Sequence, residues 1–309
     1  MFRRQSGEPD TQPPMPRYSV THTTVYTHGS AATAAWQALH LQPRNEAAQH
    51  CDAFELEVAP HPTDLTSRFD YFGNKQHLFT LREPHQELTV TSRSIVRRDE
   101  PHLPMAGLTP AFGEIRKLIK EAVVEEDFTL EQFLHASPMV PLLPGARALA
   151  DELGDGLDPD IPVMDWIGIA GGRFKQAFTF DKEATRISTP MAEVLTERRG
   201  VCQDFAHLFI SCLRQRGLPT AYVSGYLLTS PPPGKPRLIG ADASHAWVSA
   251  YIPGTGWVDY DPTNACFVGT GHIVIARGRD FYDVRPVKGL FSGGGGHTLE
   301  TGVTVEETE

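Results

Sequence analysis

Long apolar runs are missing from this chain of 309 residues. None approaches the ~20 residues that a membrane-spanning helix needs. The opening Met-Phe-Arg-Arg-Gln-Ser also lacks the apolar stretch of a signal peptide. A cytoplasmic protein without a membrane partner is expected. Positive charge is short as well: 28 Lys and Arg against 38 Asp and Glu leave a formal net charge of −10, which argues against nucleic acid as a partner. Cysteine is scarce, with four residues at 51, 202, 212 and 266. No Cys-x-x-Cys pair and no zinc-type His spacing occurs, and a disulfide framework is not expected in a chain of this length and compartment. Cys212 falls among Phe205, Leu208, Phe209 and Leu213 at helical spacing and reads as a buried apolar side chain; Cys51 and Cys266 get the same reading. A phosphate-binding loop is lacking too, since Gly293–Gly296 has no Lys-Ser/Thr continuation.

What remains is ordinary globular composition, 40% hydrophobic and 21% charged, in a chain long enough for two domains. Residues 1–16 are polar and proline-rich and read as a disordered tail. Residues 17–100 alternate apolar and polar positions (Tyr18, Val20, Phe54, Leu56, Val58, Phe79, Leu81, Leu88, Val90) between Pro and Gly-Asn turns, which predicts an antiparallel β domain. Asp70–Asn74 is one of its turns.

Residues 101–309 form the second unit. Phe112, Ile115, Leu118, Ile119 and Val123 recur at helical spacing, and Leu130, Phe133 and Leu134 repeat it. Asp151–Asp160 reads as a solvated loop, because the ligand spacing of a calcium loop is absent. A helix through Trp166 and Ile169, another over Pro190–Arg198, and a third from Val201 to Arg216 stopped by Gly217 and Pro219 follow. Ala221–Leu228 predicts a buried strand and Pro231–Gly240 an exposed loop. His245–Ile252 and Gly256–Asp261 predict a hairpin; His272–Ala276 and Phe281–Val287 read as strands. The alternation of Leu299, Val303 and Val305 after the glycines predicts the last arm of a C-terminal β hairpin.

Three residues carry chemistry. Cys202 sits at a predicted helix start, where unpaired N–H groups favour a thiolate, with Gly200 before it to allow a sharp turn. Asp204, in the same first turn, opposes that effect. His245 lies on the first strand of the hairpin. If Ile252 pairs with Gly256, His245 faces Thr263 and Asp261 becomes its diagonal neighbour on the same face, ~7–8 Å away between backbones. Asp259 has the same parity and stays open as an alternative; Asp261 is nearer and precedes Pro262. A slip of one residue would separate the groups onto opposite faces. Cys202, His245 and Asp261 thus fall in the roles of nucleophile, base and orienter for covalent acyl chemistry. Against this stand plain readings of each: a lone Cys is most often buried filler and a lone strand His a packed side chain. His207, five residues after Cys202, faces about 140° away and reads as structural. Trp166, Tyr222 and Tyr226 are candidates for the cleft wall or an oxyanion donor, with core packing the competing reading.

The segments Arg199-Gly-Val-Cys-Gln-Asp-Phe-Ala-His-Leu208, Ala221–Tyr226, Asp242-Ala-Ser-His-Ala-Trp-Val248, Gly256-Trp-Val-Asp-Tyr-Asp-Pro-Thr-Asn264 and Gly278-Arg-Asp-Phe-Tyr-Asp-Val284 resemble the bacterial transglutaminase-like family. Tyr18–His22, Leu41–Arg44 and Asp70–Asn74 are similar to the β-rich N-terminal region that accompanies this core. The resemblance implies an α+β protein with an N-terminal antiparallel β domain and a papain-like core, in which a Cys-bearing helix packs on an antiparallel sheet. It implies Cys202, His245 and Asp261 as a triad, no metal and no organic cofactor. Gln203 stands where animal cross-linking enzymes carry Trp, so hydrolysis of a peptide or protein amide is expected ahead of transamidation. A catalytically silent peptide-binding module is the non-enzymatic alternative.

Overall fold

A computed structural model describes residues 15–105, 107–125, 128–228 and 244–308. The predicted loop at 231–240, and residues 1–14 of the predicted tail, lie outside the described residues. The chain opens with strands β1 (Arg17–Leu39), β2 (Gln49–Ala59), β3 (Asp64–Phe69), β4 (Lys75–Leu81) and β5 (His85–Arg98). Helices α1 (Ile115–Glu125), α2 (Pro144–Leu153) and α3 (Val163–Ala177) follow. Short strand β6 (Thr179–Phe180), helix α4 (Met191–Glu197) and short strand β7 (Arg199–Gly200) lead into α5 (Cys202–Arg216). The remainder is strand: β8 (Thr220–Leu227), β9 (Ser244–Ile252), β10 (Gly256–Asp261), β11 (Cys266–Phe267), β12 (His272–Gly278), β13 (Val287–Gly293) and β14 (His297–Thr308).

The amino-terminal sheet is built from long tracks rather than short hairpins. Along one edge of β1, β4 pairs with Ala35–Leu39 and β5 with Arg17–Thr27. Along the other, β13 pairs with Ala32–Leu39 and β14 with Arg17–His28. β3 and β2 extend the sheet outward on β4 and β5. Each track breaks at the same level. Pro60 and Pro62 separate β2 from β3, Pro84 separates β4 from β5, and the β1–β5 register shifts between Thr27 and Ala32. Proline cannot donate to a ladder and so marks these breaks. Tyr26, Val58, Leu88 and Val90 from one side of the line and Ala35, Leu39, Phe79 and Leu81 from the other share one apolar cluster. The sheet therefore bends along this line and closes a small core of its own.

This arrangement corrects the expected C-terminal hairpin. β13 and β14 do not pair with each other; they run in the same direction, one after the other, along β1. Gly293, Gly294 and Gly295 have φ of 77°, 87° and 64°, a left-handed run that suits glycine and offsets the strand without reversing it. Residues 287–308, grouped with the second unit by sequence, pair in the amino-terminal sheet. A second correction concerns Phe281–Val287, read as a strand. The backbone turns there instead, because the Asp280 carboxylate accepts the Tyr282 and Met139 N–H groups and Arg279 pairs with Asp283. Leu130 and Phe133, read at helical spacing, belong to a short 3-10 turn over Phe128–Phe133, and Leu134 follows it.

The second sheet has the order β11-β10-β9-β8-β12 and is antiparallel throughout. α5 lies against β8 and β9, with Phe205, Leu208, Phe209, Cys212 and Leu213 buried in the main core beside Tyr222, Ala246, Val248 and Ala250. The helix ends on Gly217 (φ 95°), whose neighbour Leu218 donates its N–H to Leu213 O, a Schellman-type stop. The two sheets are joined without a gap. Tyr18, Val20, Val96, Val303 and Val305 enter the main core, and His22 Nδ1 meets Tyr226 Oη at 2.8 Å. Gln49 seals a bulge in β12: its Nε2 donates to Val274 O and its Oε1 accepts Val274 N–H, both at 2.8 Å. The side-chain amide thereby completes the peptide hydrogen bonds that a strand would have supplied.

Candidate active site

α5 starts on Cys202, so the first-turn amides, which have no partner within the helix, surround the thiol. Asp204 shapes this turn: its Oδ2 accepts the Val201 N–H at 2.9 Å and the Thr185 hydroxyl at 2.6 Å. Burial pushes the Asp204 carboxyl up, against those two hydrogen bonds. Gly200 permits the approach, since a Cβ there would lie 2.9 Å from Asp204 Oδ2 and 3.1 Å from its Cβ. Cys202 itself is half-buried, whereas Cys212 is sealed in the core, where burial pushes its thiol far up.

The β9–β10 register pairs Ile252 with Gly256 and Val248 with Tyr260. Asp261 leaves that ladder and pairs with Cys266 of β11. From there its Oδ2 reaches His245 Nε2 at 2.7 Å. The other side of His245 meets Cys202, to which its side chain is hydrogen-bonded. Burial disfavours the charged imidazole, but the hydrogen bonds to Asp261 and Cys202 and their charges outweigh it and raise His245 to about 10. The sequence-predicted residues Cys202, His245 and Asp261 are thus brought together in one chain of contacts.

Asp261 is fully buried, and every lone pair is used. Oδ1 accepts the N–H groups of Thr263 and Asn264 at 2.9 and 3.2 Å; Oδ2 accepts Asn264 Nδ2 at 2.6 Å besides the two imidazoles. Burial alone would raise this carboxyl; hydrogen bonds from His245, His272 and Asn264 hold it well below the usual carboxylate range. Asp259, the alternative orienter, is committed elsewhere. Arg277 grips it at 2.7 and 3.0 Å, and Trp247 Nε1 donates to it at 3.1 Å.

His272 and Asn264 were not assigned a role by sequence. His272 Nε2 stands 3.3 Å from Asp261 Oδ2, with its ring edge-on to Trp247 at 5.3 Å. It stands at the start of β12, eleven residues from Asp261, and no spacing rule links the two. The Asn of Asp-Pro-Thr-Asn was the readable signal, because an Asx turn after a strand-end Asp places that amide beside the carboxylate. His245, Asp261 and His272 also bring their donor atoms within 4.8 Å of one another, a set that could hold a metal ion.

The other candidates pack. His207 is buried, accepts the Phe281 N–H at 3.2 Å, and is held down at about 4 by burial. Tyr222 lies on its ring at 4.9 Å, and Tyr226 bonds His22. Trp166 stacks on Phe112 at 4.1 Å, inside the core and not at Cys202.

Comparison with known proteins agrees with this architecture. Residues 18–97 match the bacterial transglutaminase-like N-terminal region and residues 170–262 the transglutaminase-like superfamily. An uncharacterized protein of Mycobacterium tuberculosis is 38% identical over 278 residues, covering 89% of this chain and 87% of that one. An uncharacterized protein of Mycobacterium leprae is 32% identical, covering 94% and 98%. A protein-glutamine gamma-glutamyltransferase of Pseudomonas aeruginosa is 33% identical over 125 residues, which is 39% of this chain and 18% of that enzyme. Among solved structures, a candidate cysteine protease from Cytophaga hutchinsonii superposes with a TM-score of 0.72 over 96% of this chain and 91% of its own, at 18% identity, and so shares the fold. The chain belongs to the transglutaminase-like superfamily, in the form that carries the bacterial transglutaminase-like N-terminal region.

Proposed function

We propose that the protein is a cysteine-dependent acyl transferase acting on carboxamides, with water as the main acceptor, so that the net reaction is peptide or amide hydrolysis. The observation that carries this reading is His245, hydrogen-bonded to Cys202 on one side and to the buried Asp261 carboxylate at 2.7 Å on the other. An imidazolium in that position sustains a thiolate and is already the acid that the leaving amine needs. Cys202 Sγ attacks the amide carbon, forming a C–S bond, and the tetrahedral oxyanion is met by first-turn amides of α5. His245 passes its proton to the departing nitrogen as the C–N bond breaks. Neutral His245 then takes a proton from water, whose oxygen attacks the thioester carbon and expels the Cys202 thiolate. Asp261 keeps the imidazole in one orientation through both halves.

Transamidation is the second reading, favoured by the partial similarity to a protein-glutamine gamma-glutamyltransferase. In that case a primary amine replaces water in the second half. Quenched peptide amides and glutamine-containing peptides, assayed with and without a primary amine, test both. Release of acid that is abolished in Cys202→Ala supports hydrolysis. Amine incorporation exceeding acid release would reverse the order, and turnover unchanged in Cys202→Ala would reject the reading.

A further inference from the structure

A sizeable cavity lies away from the Cys202 site. It measures about 700 Å³, lies where the amino-terminal sheet meets the core, and has none of Cys202, His245 and Asp261 in its lining. Its apolar wall includes Tyr71, Phe72, Phe133 and Trp257. Phe133 meets Trp257 edge-on at 5.2 Å, and Tyr71 is three-quarters exposed at the mouth.

Its charged lining holds three guanidinium groups and two carboxylates. Four of these five satisfy one another. Arg277 donates to Glu46 at 2.9 and 3.0 Å and to Asp259 at 2.7 and 3.0 Å, and Arg44 donates to Glu46 at 3.0 Å. Arg98 is left over. It is 3% exposed, and among the described residues its Nη1 donates only to Ala48 O, at 3.1 Å, and its Nε has no partner. Among the described residues no carboxylate lies within ion-pair distance of it. His102 is an exposed member of the lining, and Asp259, Glu46 and Glu100 act on Arg98 only at longer range. A buried guanidinium with no direct ion pair and an unpartnered Nε is costly, and an anion that enters and bonds it reduces that cost.

We infer that this cavity is a binding site for a small organic carboxylate with an aromatic or apolar body, the carboxylate neutralising Arg98 and the body lying against Trp257, Phe133 and Phe72. The volume falls in the range of small-molecule sites, which are mostly apolar with a few placed polar groups. The site is separate from the triad and does not depend on the proposed acyl chemistry.

Isothermal calorimetry with 3-phenylpropionate, and with 3-phenylpropanol as its uncharged counterpart, tests the inference on the full chain. The expected result is one saturable site per chain for the acid, at least about tenfold tighter than for the alcohol. Arg98→Gln should weaken the acid at least about tenfold and leave the alcohol unchanged. Cys202→Ala should bind as the wild type does. Equal affinity for acid and alcohol, no saturable binding by the wild type below about 10 mM, or an unaltered Arg98→Gln overturns the inference. So does loss of binding on alkylation of Cys202, which would put the ligand in the catalytic cleft. Should Arg98→Gln fail to fold by circular dichroism, Trp257→Ala, at a wall position 39% exposed, takes its place. Loss of acid binding by that folded variant supports the site, and unchanged affinity overturns it.

Discussion

Replacing Asp261 by Asn changes one atom and removes one charge, at a position where both consequences can be traced. The new amide must keep its oxygen toward the Thr263 and Asn264 N–H groups, which the Asp261 Oδ1 accepts at 2.9 and 3.2 Å. Its NH2 group then takes the place of Oδ2, which accepts from His245, His272 and Asn264 Nδ2 at 2.7, 3.3 and 2.6 Å. Three donors would face a fourth. Flipping the amide only moves the conflict to the two backbone groups. In the wild type, burial works against imidazolium, yet Asp261 and Cys202 carry His245 from 6.5 to about 10, a preference of roughly 5 kcal/mol shared between the two partners. A group raised in the folded state stabilises fully below its unfolded value and loses that contribution as pH climbs through its folded value. The window for His245 therefore runs from 6.5 to about 10. In Asp261→Asn the burial that lowers His245 is opposed by Cys202 alone, so the titration should drop by several pH units and stability at neutral pH by about 3 kcal/mol or more. Histidine-selective 13C labelling, with the His245 Cε1 resonance followed against pH, reads the first quantity; urea unfolding at pH 7 reads the second. A His245 midpoint within half a pH unit of the wild type, in a folded variant, would refute the assignment of Asp261 as the group that charges His245.

Three further perturbations separate the roles of neighbouring side chains. His272→Asn removes one of the hydrogen bonds that hold the Asp261 carboxylate, and should lower kcat about tenfold with KM little changed; a purely structural role would lower the melting temperature and leave kcat of the folded enzyme intact. Arg277→Met leaves the half-buried Asp259 carboxylate without its cation and Glu46 with Arg44 alone, so a loss of about 3 kcal/mol is expected from urea titration. On the acid side, His22 and His207 are both held at about 4 by burial. Their neutral forms stabilise the fold above 6.5, and that contribution is lost as pH falls from 6.5 toward 4. Stability should therefore decline through this range, and His207→Gln should flatten the slope.

What could be read from the sequence was local, or was fixed by periodicity. Pairing Ile252 with Gly256 sets the register of a two-strand ladder, and from it the nearness of His245 and Asp261 followed. α5 announced both ends, through Gly200 before the thiol and Gly217 after the last arginine. Leu299, Val303 and Val305 alternated as a strand should, yet the partner of that strand is β1, more than 260 residues earlier. Nothing local identifies a partner at such a separation, and a run of four glycines reads as a reversal when it is an offset. His272 escaped for the same reason: it reaches Asp261 from a strand at the far edge of the sheet, across β8 and β9. The charge excess at Arg98 was equally hidden, because its surroundings come from β5, the Arg44–Ala48 connection, β10 and β12 together.

The most direct test of the central claim is the rate of iodoacetamide modification as a function of pH, with the modified cysteine identified by mass spectrometry, in wild type and His245→Ala. Selective modification of Cys202 at pH 6 is expected, lost in His245→Ala, with the buried Cys212 unreactive in both. Uniform slow labelling of the accessible cysteines, indifferent to His245, would contradict a resting thiolate–imidazolium pair and with it the proposed acyl chemistry.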